Sequence, residues 1–102
     1  MADLQQLFQL GQQVQGRLQQ LQVELAERTI EAGAGAGMVR VTVDGQGRVR
    51  ALRIAPEAFE GRDAELLADL VLGAVAEGQR QAAEMAQAEM RRVQPGQAGL
   101  GL

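Results

Sequence analysis

From Leu4 onward, apolar residues recur at Leu4, Leu7, Val14, Leu18, Leu21 and Leu25, in alternating steps of three and four with Gly11 as the one gap in the seam. That heptad spacing predicts a long amphipathic helix of coiled-coil character. Phe8 and Leu10 widen the stripe near its start, Asp3 is placed to cap the first turn, and the outer face is largely glutamine from Gln5 to Gln22. At roughly 1.5 Å per residue the helix is about 33 Å long.

The pattern changes after Glu27. Residues 28–31 predict one short strand, and the run Gly33-Ala34-Gly35-Ala36-Gly37 predicts a flexible connection. Strict alternation follows, with Val39, Val41 and Val43 on one face and Arg40, Thr42 and Asp44 on the other, which predicts a half-buried strand. Asp44-Gly45-Gln46-Gly47 predicts a hairpin turn, and residues 48–54 return as the paired strand. Val49, Leu52 and Ile54 cannot share a face of a regular strand, because 49 and 52 differ by an odd number. A bulge at Arg50 or Ala51 restores the register.

Pro56 then opens one short helical turn over 57–59, and Gly61 ends it. Asp63 is the expected cap of a second long helix. Leu66, Leu67, Leu70, Val71 and Leu72 form its dense apolar start, and Gly78, Ala82 and Met85 continue the seam with small residues. Acids near its start and Arg91 and Arg92 near its end match the helix dipole. Residues 94–102 carry glycines and a proline without period and are expected to be a disordered tail to a single domain spanning 1–93. The order helix, three antiparallel strands, helix is an α+β arrangement with the helices on one face of a small sheet.

Composition narrows the chemistry. The 102 residues include no Lys, His, Cys, Ser, Asn, Tyr or Trp. The side chain that titrates near neutrality and the common nucleophiles are therefore missing, as are the ligands of a Cys/His zinc site. Glu57 with Glu60, and Asp63 with Glu65, read as helix-start acids rather than an acid/base pair, and Asp44 lacks the alternating oxygens of a calcium loop. The alternate glycines 33, 35 and 37 precede a strand, where a phosphate cradle would precede a helix. The expectation is a protein that is not an enzyme and takes no cofactor, metal or small-molecule substrate. No stretch of 18 apolar residues is present, nor the basic start of a signal peptide, so a cytoplasmic protein without a membrane partner is expected.

Only Phe8 and Phe59 are aromatic, so the core rests on aliphatic side chains and is thin for two long helices. Self-association is the natural remedy. The expected homodimer interface comprises Leu4, Leu7, Val14, Leu18, Leu21 and Leu25 of the helical seam and Val39, Val41 and Val43 of the strand.

Charge is unevenly spread. The chain has a formal net charge of -3, yet residues 38–55 set Arg40, Arg48, Arg50 and Arg53 against Asp44 alone, a net of +3. Every cation is arginine, the side chain that grips phosphate with two parallel hydrogen bonds.

The stretch Gly35 to Gly45 (GAGMVRVTVDG), then Arg53-Ile54-Ala55-Pro56, then Leu67 to Val71 (LADLV), together with the glutamine-rich first helix, resembles the YbaB/EbfC family of nucleoid-associated proteins. The resemblance implies a helix–sheet–helix subunit in an intimate homodimer, its helices projecting like tweezers, that binds duplex DNA on the bacterial nucleoid. Ala76 stands where the family commonly has Asn, and the lysines common along family helices are absent, so phosphate contacts fall to arginines. The candidates are Arg17, Arg80, Arg91 and Arg92 on the helices and Arg40, Arg48, Arg50 and Arg53 on the hairpin, and the sequence does not choose between the two sets. Four hairpin arginines on each of two subunits would neutralise about eight phosphates and give a log–log salt slope of roughly -7. A second reading is a protein-interaction module whose coiled-coil helices dock a replication or recombination factor without touching DNA.

Overall fold

Asp3 opens the first helix, its carboxylate accepting a hydrogen bond from the Gln5 amide at 3.3 Å. In the computed structural model, which describes residues 3–93, this helix, α1, runs Leu4–Glu27. The tail expected to be disordered, 94–102, lies outside the described residues. Three strands follow, β1 (Thr29–Ala34), β2 (Val39–Asp44) and β3 (Val49–Ile54), in the antiparallel order β1-β2-β3. A 3-10 turn (Pro56–Phe59) leads to the second long helix, α2 (Ala64–Val93). Asp63 caps α2 as expected, accepting the Leu66 amide at 3.1 Å. The α+β order predicted from the pattern is the order observed.

Two strand boundaries repay comparison with the sequence. β1 does not stop at 31 but continues through Gly33 and Ala34, which pair with Arg40 and Val39. The extension is held by packing: Ala32 is buried in the core, and a Cβ on Gly33 would stand 3.1 Å from the Val39 carbonyl oxygen. The connection shrinks to residues 35–38, where Gly35, Ala36 and Gly37 take φ of 62°, 55° and 88° and the Met38 amide donates to the Gly35 carbonyl. This left-handed run is what the glycines permit. In β3 the parity argument holds. Thr42 pairs with Ala51 and Val43 with Val49, so Arg50 is the extra residue of a bulge. Val49, Leu52 and Ile54 thereby share the face of Val43, Val41 and Val39.

α2 lies across β1 and β2 and leaves β3 uncovered. Val39, Val41, Val43 and Ala32 on the sheet meet Ala74 and Ala82 on the helix in the buried cluster. Gly78 permits the close approach, since a Cβ there would sit 2.7 Å from a Val43 methyl. Val39, Val41 and Val43 are no more than 1% exposed beneath α2 of their own chain, which leaves them no surface for a second copy. Their place in the expected dimer interface is corrected accordingly: alternation marks a buried face but not what buries it.

α1 joins the body only at its C-terminal end. Leu21 and Leu25 are buried, the Gly45 amide donates to the carbonyls of Leu25 (2.8 Å) and Arg28 (3.0 Å), and Arg28 donates to Glu89 of α2 at 2.8 Å. The seam therefore divides. Its lower end is used within the chain, Val14 and Leu18 are half-buried, and Leu4 and Leu7 are 75% and 55% exposed. The molecule measures 71 × 28 × 17 Å with a radius of gyration of 19.9 Å, against about 13 Å for a compact chain of this size.

Candidate nucleic-acid interface

The sheet face turned away from α2 carries Arg40 and Arg53, whose Cα atoms are direct cross-strand partners. Both are exposed, and among the described residues neither makes an ion pair. Like charges placed opposite each other on antiparallel strands repel, and Glu31 of β1, which lies on this face opposite Thr42 and lines one hollow with Arg40, forms no ion pair with either arginine. The Arg40 guanidinium lies over bare backbone. Its Nη2 is 3.6 Å from where a Gly37 Cβ would stand, and Gly33 is its partner across the ladder. Two cations thus stand on an open face flanked by glycine backbone, with the Glu31 carboxylate beside Arg40.

The rest of the hairpin is built on Asp44. Its carboxylate is fully buried yet saturated: Oδ1 accepts the amides of Gln46 (2.9 Å) and Arg48 (3.0 Å), and Oδ2 accepts Arg50 Nε at 2.8 Å. Burial pushes its pKa up, but the two amides and the arginine outweigh that and hold it below the ordinary carboxylate value. Asp44 therefore stays charged, fixes the turn and anchors the bulged Arg50. The sequence reading treats Asp44 only as a turn residue and misses this anchor. The signal that could have found it is an Asp-Gly turn followed by arginine at the one position where the strand parity slips. Arg48 sits at the turn itself, lining a groove with Gln22, Gln46 and Gln79.

The helix arginines are in different company. Arg80 donates to both Glu77 and Glu84 on its own helix. Those bonds lower the Glu77 pKa to about 2 and raise that of Arg80. Arg92 lies 3.5 Å from Glu89, which also accepts from Arg28 and is held below its usual value first by that hydrogen bond. Arg17 lines a surface hollow between the helices with Glu24, Glu89 and Arg92. Arg91 is exposed in the last turn of α2. The fold therefore sets Arg40 opposite Arg53 on the open sheet face, with Arg50 tied to Asp44 and Arg48 at the adjoining turn. Arg17 and Arg92 share one hollow with Glu24 and Glu89, and Arg80 is held by acids of its own helix.

What fold and surface define together is an elongated helix–sheet–helix chain whose cationic feature is an open sheet face. The chain belongs to the YbaB/EbfC DNA-binding family, whose sequence model matches residues 1–97. It is 49% identical over 88 residues to a nucleoid-associated protein of Cutibacterium acnes, spanning 86% of this chain and 82% of that one. Another nucleoid-associated protein, from Streptomyces avermitilis, is 40% identical over 100 residues, covering 98% of this chain and 88% of its own. The crystal structure of an uncharacterized protein from Helicobacter pylori superposes with a TM-score of 0.81 at 23% identity, over 90% of this chain and 97% of that one, and so shares the fold.

Proposed function

We propose that this protein is a nucleoid-associated protein of the bacterial cytoplasm that binds duplex DNA as a homodimer, through arginine–phosphate contacts and with little sequence preference. The observation that carries this reading is the unpaired, mutually repelling Arg40 and Arg53 on the glycine-flanked sheet face. Repulsion retained in the free protein is relieved when phosphates enter between the two guanidinium groups. Arg48 at the turn extends the contact, while Arg50 is held by Asp44 and stands outside it. Arg80 and Arg92 would have to leave acidic partners to reach DNA, which sets them outside the contact surface. Family membership supports DNA as the ligand. Among the described residues no helix is long and apolar enough to cross a membrane.

The dimer reading rests on the apolar surface that α2 leaves bare. On the core side of β3, Val49 and Leu52 are 44% and 45% exposed. The Gln79 amide donates to the Gly47 carbonyl, so that side of α2 faces the β2–β3 turn, and Leu72, 68% exposed, lies two turns earlier on the same side. Ala68 before it and Ala76 and Ala83 after it lie on that side at helical spacing. A second copy seated there closes the uncovered strand and doubles the arginine face.

A gel-shift titration against duplex DNA at low and moderate salt tests the proposal, with Arg40→Glu/Arg53→Glu as the diagnostic variant. A shift that weakens with salt and disappears in the variant is the expected result. No shift at low salt would return the protein to the interaction-module reading, in which its helices dock a replication or recombination factor.

A further inference from the structure

The N-terminal half of α1 is a further part of the molecule that its own chain leaves bare. Between Leu4 and Gly16 only Val14 is even half-buried, and Phe8 is 70% exposed beside Leu4, Leu7 and Leu10. The same stretch contains no charged residue. It also contains two mid-helix glycines, each costing about 1 kcal/mol of helix stability relative to alanine. Nothing within the chain uses them: a Cβ at Gly11 or Gly16 would meet nothing within 4 Å, whereas one at Gly78 or Gly45 would collide with packed neighbours. Gly11 lies in the floor of a shallow hollow lined by Leu4, Leu7, Phe8, Gln12 and Gln15.

We propose that this segment is a second self-association surface, on which the α1 helices of two copies pair antiparallel and join one homodimer to another. The spacing selects a second copy as the occupant. Leu7 and Gly11 are equidistant from Gln9, and so are Leu4 and Val14. An antiparallel twofold pair centred on Gln9 therefore sets each Leu7 against the partner's Gly11 hollow and each Leu4 against the smaller Val14. Along the seam a larger residue then meets a smaller one, and Phe8 and Leu10, also equidistant from Gln9, flank it. With no charge in the segment, identical helices meet without repulsion, and the surface offers no electrostatic handle to a partner of other sequence. The consequence rests on the homodimer and DNA readings above: a dimer that holds a duplex on its sheet faces and other dimers by its α1 arms links separate duplexes.

Sedimentation velocity from about 1 to 100 µM tests the pairing without DNA, using the full chain, Leu7→Gln, Gly11→Leu and, for the dimer contact, Leu52→Glu. The unaltered protein is expected to pass from two chains to four or more as concentration rises. Leu7→Gln and Gly11→Leu are expected to stay at two, keeping their helical circular dichroism and the affinity for a short duplex. Gly11→Leu is the sharper probe, because it adds apolar surface and helix propensity, so indiscriminate hydrophobic clustering would grow while arm pairing is lost. The proposal is overturned if the unaltered protein stops at two chains, if Gly11→Leu associates more strongly, or if Leu7→Gln falls to a single chain. That last result would make the arm the dimer contact itself. Failure of the unaltered protein to bind a short duplex would instead indict the DNA reading and leave arm pairing standing, since that pairing is measured without DNA.

Discussion

Arg40 and Arg53 stand directly opposite each other across the β2–β3 ladder, exposed and without an acidic partner among the described residues. A pair of like charges in register destabilises a sheet, and β-branched or aromatic pairs would serve the fold better there. The expected signature is opposite signs in two assays. Arg53→Thr raises folding stability, by up to about 1 kcal/mol in denaturant titration, while weakening DNA binding and reducing the salt slope by about 2 for the two copies in a dimer. A purely structural pair would lose stability on substitution and leave binding unchanged.

Arg80 answers to Glu77 and Glu84 on its own helix, and replacing it should leave DNA affinity within about a factor of two. Its effect is expected in acid instead. The Glu77 pKa is lowered from the ordinary 4.5 to about 2, chiefly by the Arg80 hydrogen bond. A group with a depressed folded-state value contributes stability that is present above its ordinary pKa and lost as pH falls. For Glu77 that loss runs from about 4.5 down to about 2. Asp44 and Glu89 are held low as well and add to the same acid limb. In Arg80→Gln the Glu77 carboxyl should titrate close to its ordinary value, as followed by NMR, and melting temperatures at pH 7 and pH 3 should lie closer together than in the unaltered protein.

Two glycines of α2 should respond to alanine with opposite signs. At Gly78 the new Cβ would stand 2.7 Å from one Val43 methyl and 3.2 Å from a Val41 methyl, so helix and sheet must part. Such overpacking costs about 1–3 kcal/mol. At Gly73 a Cβ meets nothing within 4 Å, so alanine there should gain about 0.5–1 kcal/mol from helix propensity. Thermal melts of the two variants side by side test the close approach of α2 to the sheet.

Much of this architecture is legible before any coordinates. The odd interval between Val49 and Leu52 requires a bulge, and Arg50 is where it falls. Asp3 and Asp63 announce both helix starts. β1 is misjudged because glycine has little strand preference of its own, and what holds Gly33 and Ala34 in the sheet is pairing with β2 and cover by α2, which no local pattern records. The division of the arginines is half legible. Glu77 and Glu84 lie three before and four after Arg80, a spacing that pairs charges on any helix. That Arg40 and Arg53 face each other depends on register across the bulge. The valines of β2 show the limit of periodicity, because a period of two gives a buried face equally well to a partner subunit or to a helix of the same chain.

The central claim is that DNA is held by phosphate contacts from the sheet-face arginines of a dimer. With Arg50 bound to Asp44, the expected set narrows to Arg40, Arg48 and Arg53 on each subunit, or about six phosphates and a log–log salt slope near -5. The direct test is the affinity for one duplex measured across a range of salt concentrations for the unaltered protein and for Arg40→Gln/Arg53→Gln. The account predicts a slope of about -5 falling to about -2 in the double variant. A slope that is flat in the unaltered protein, or the same in both, would contradict it.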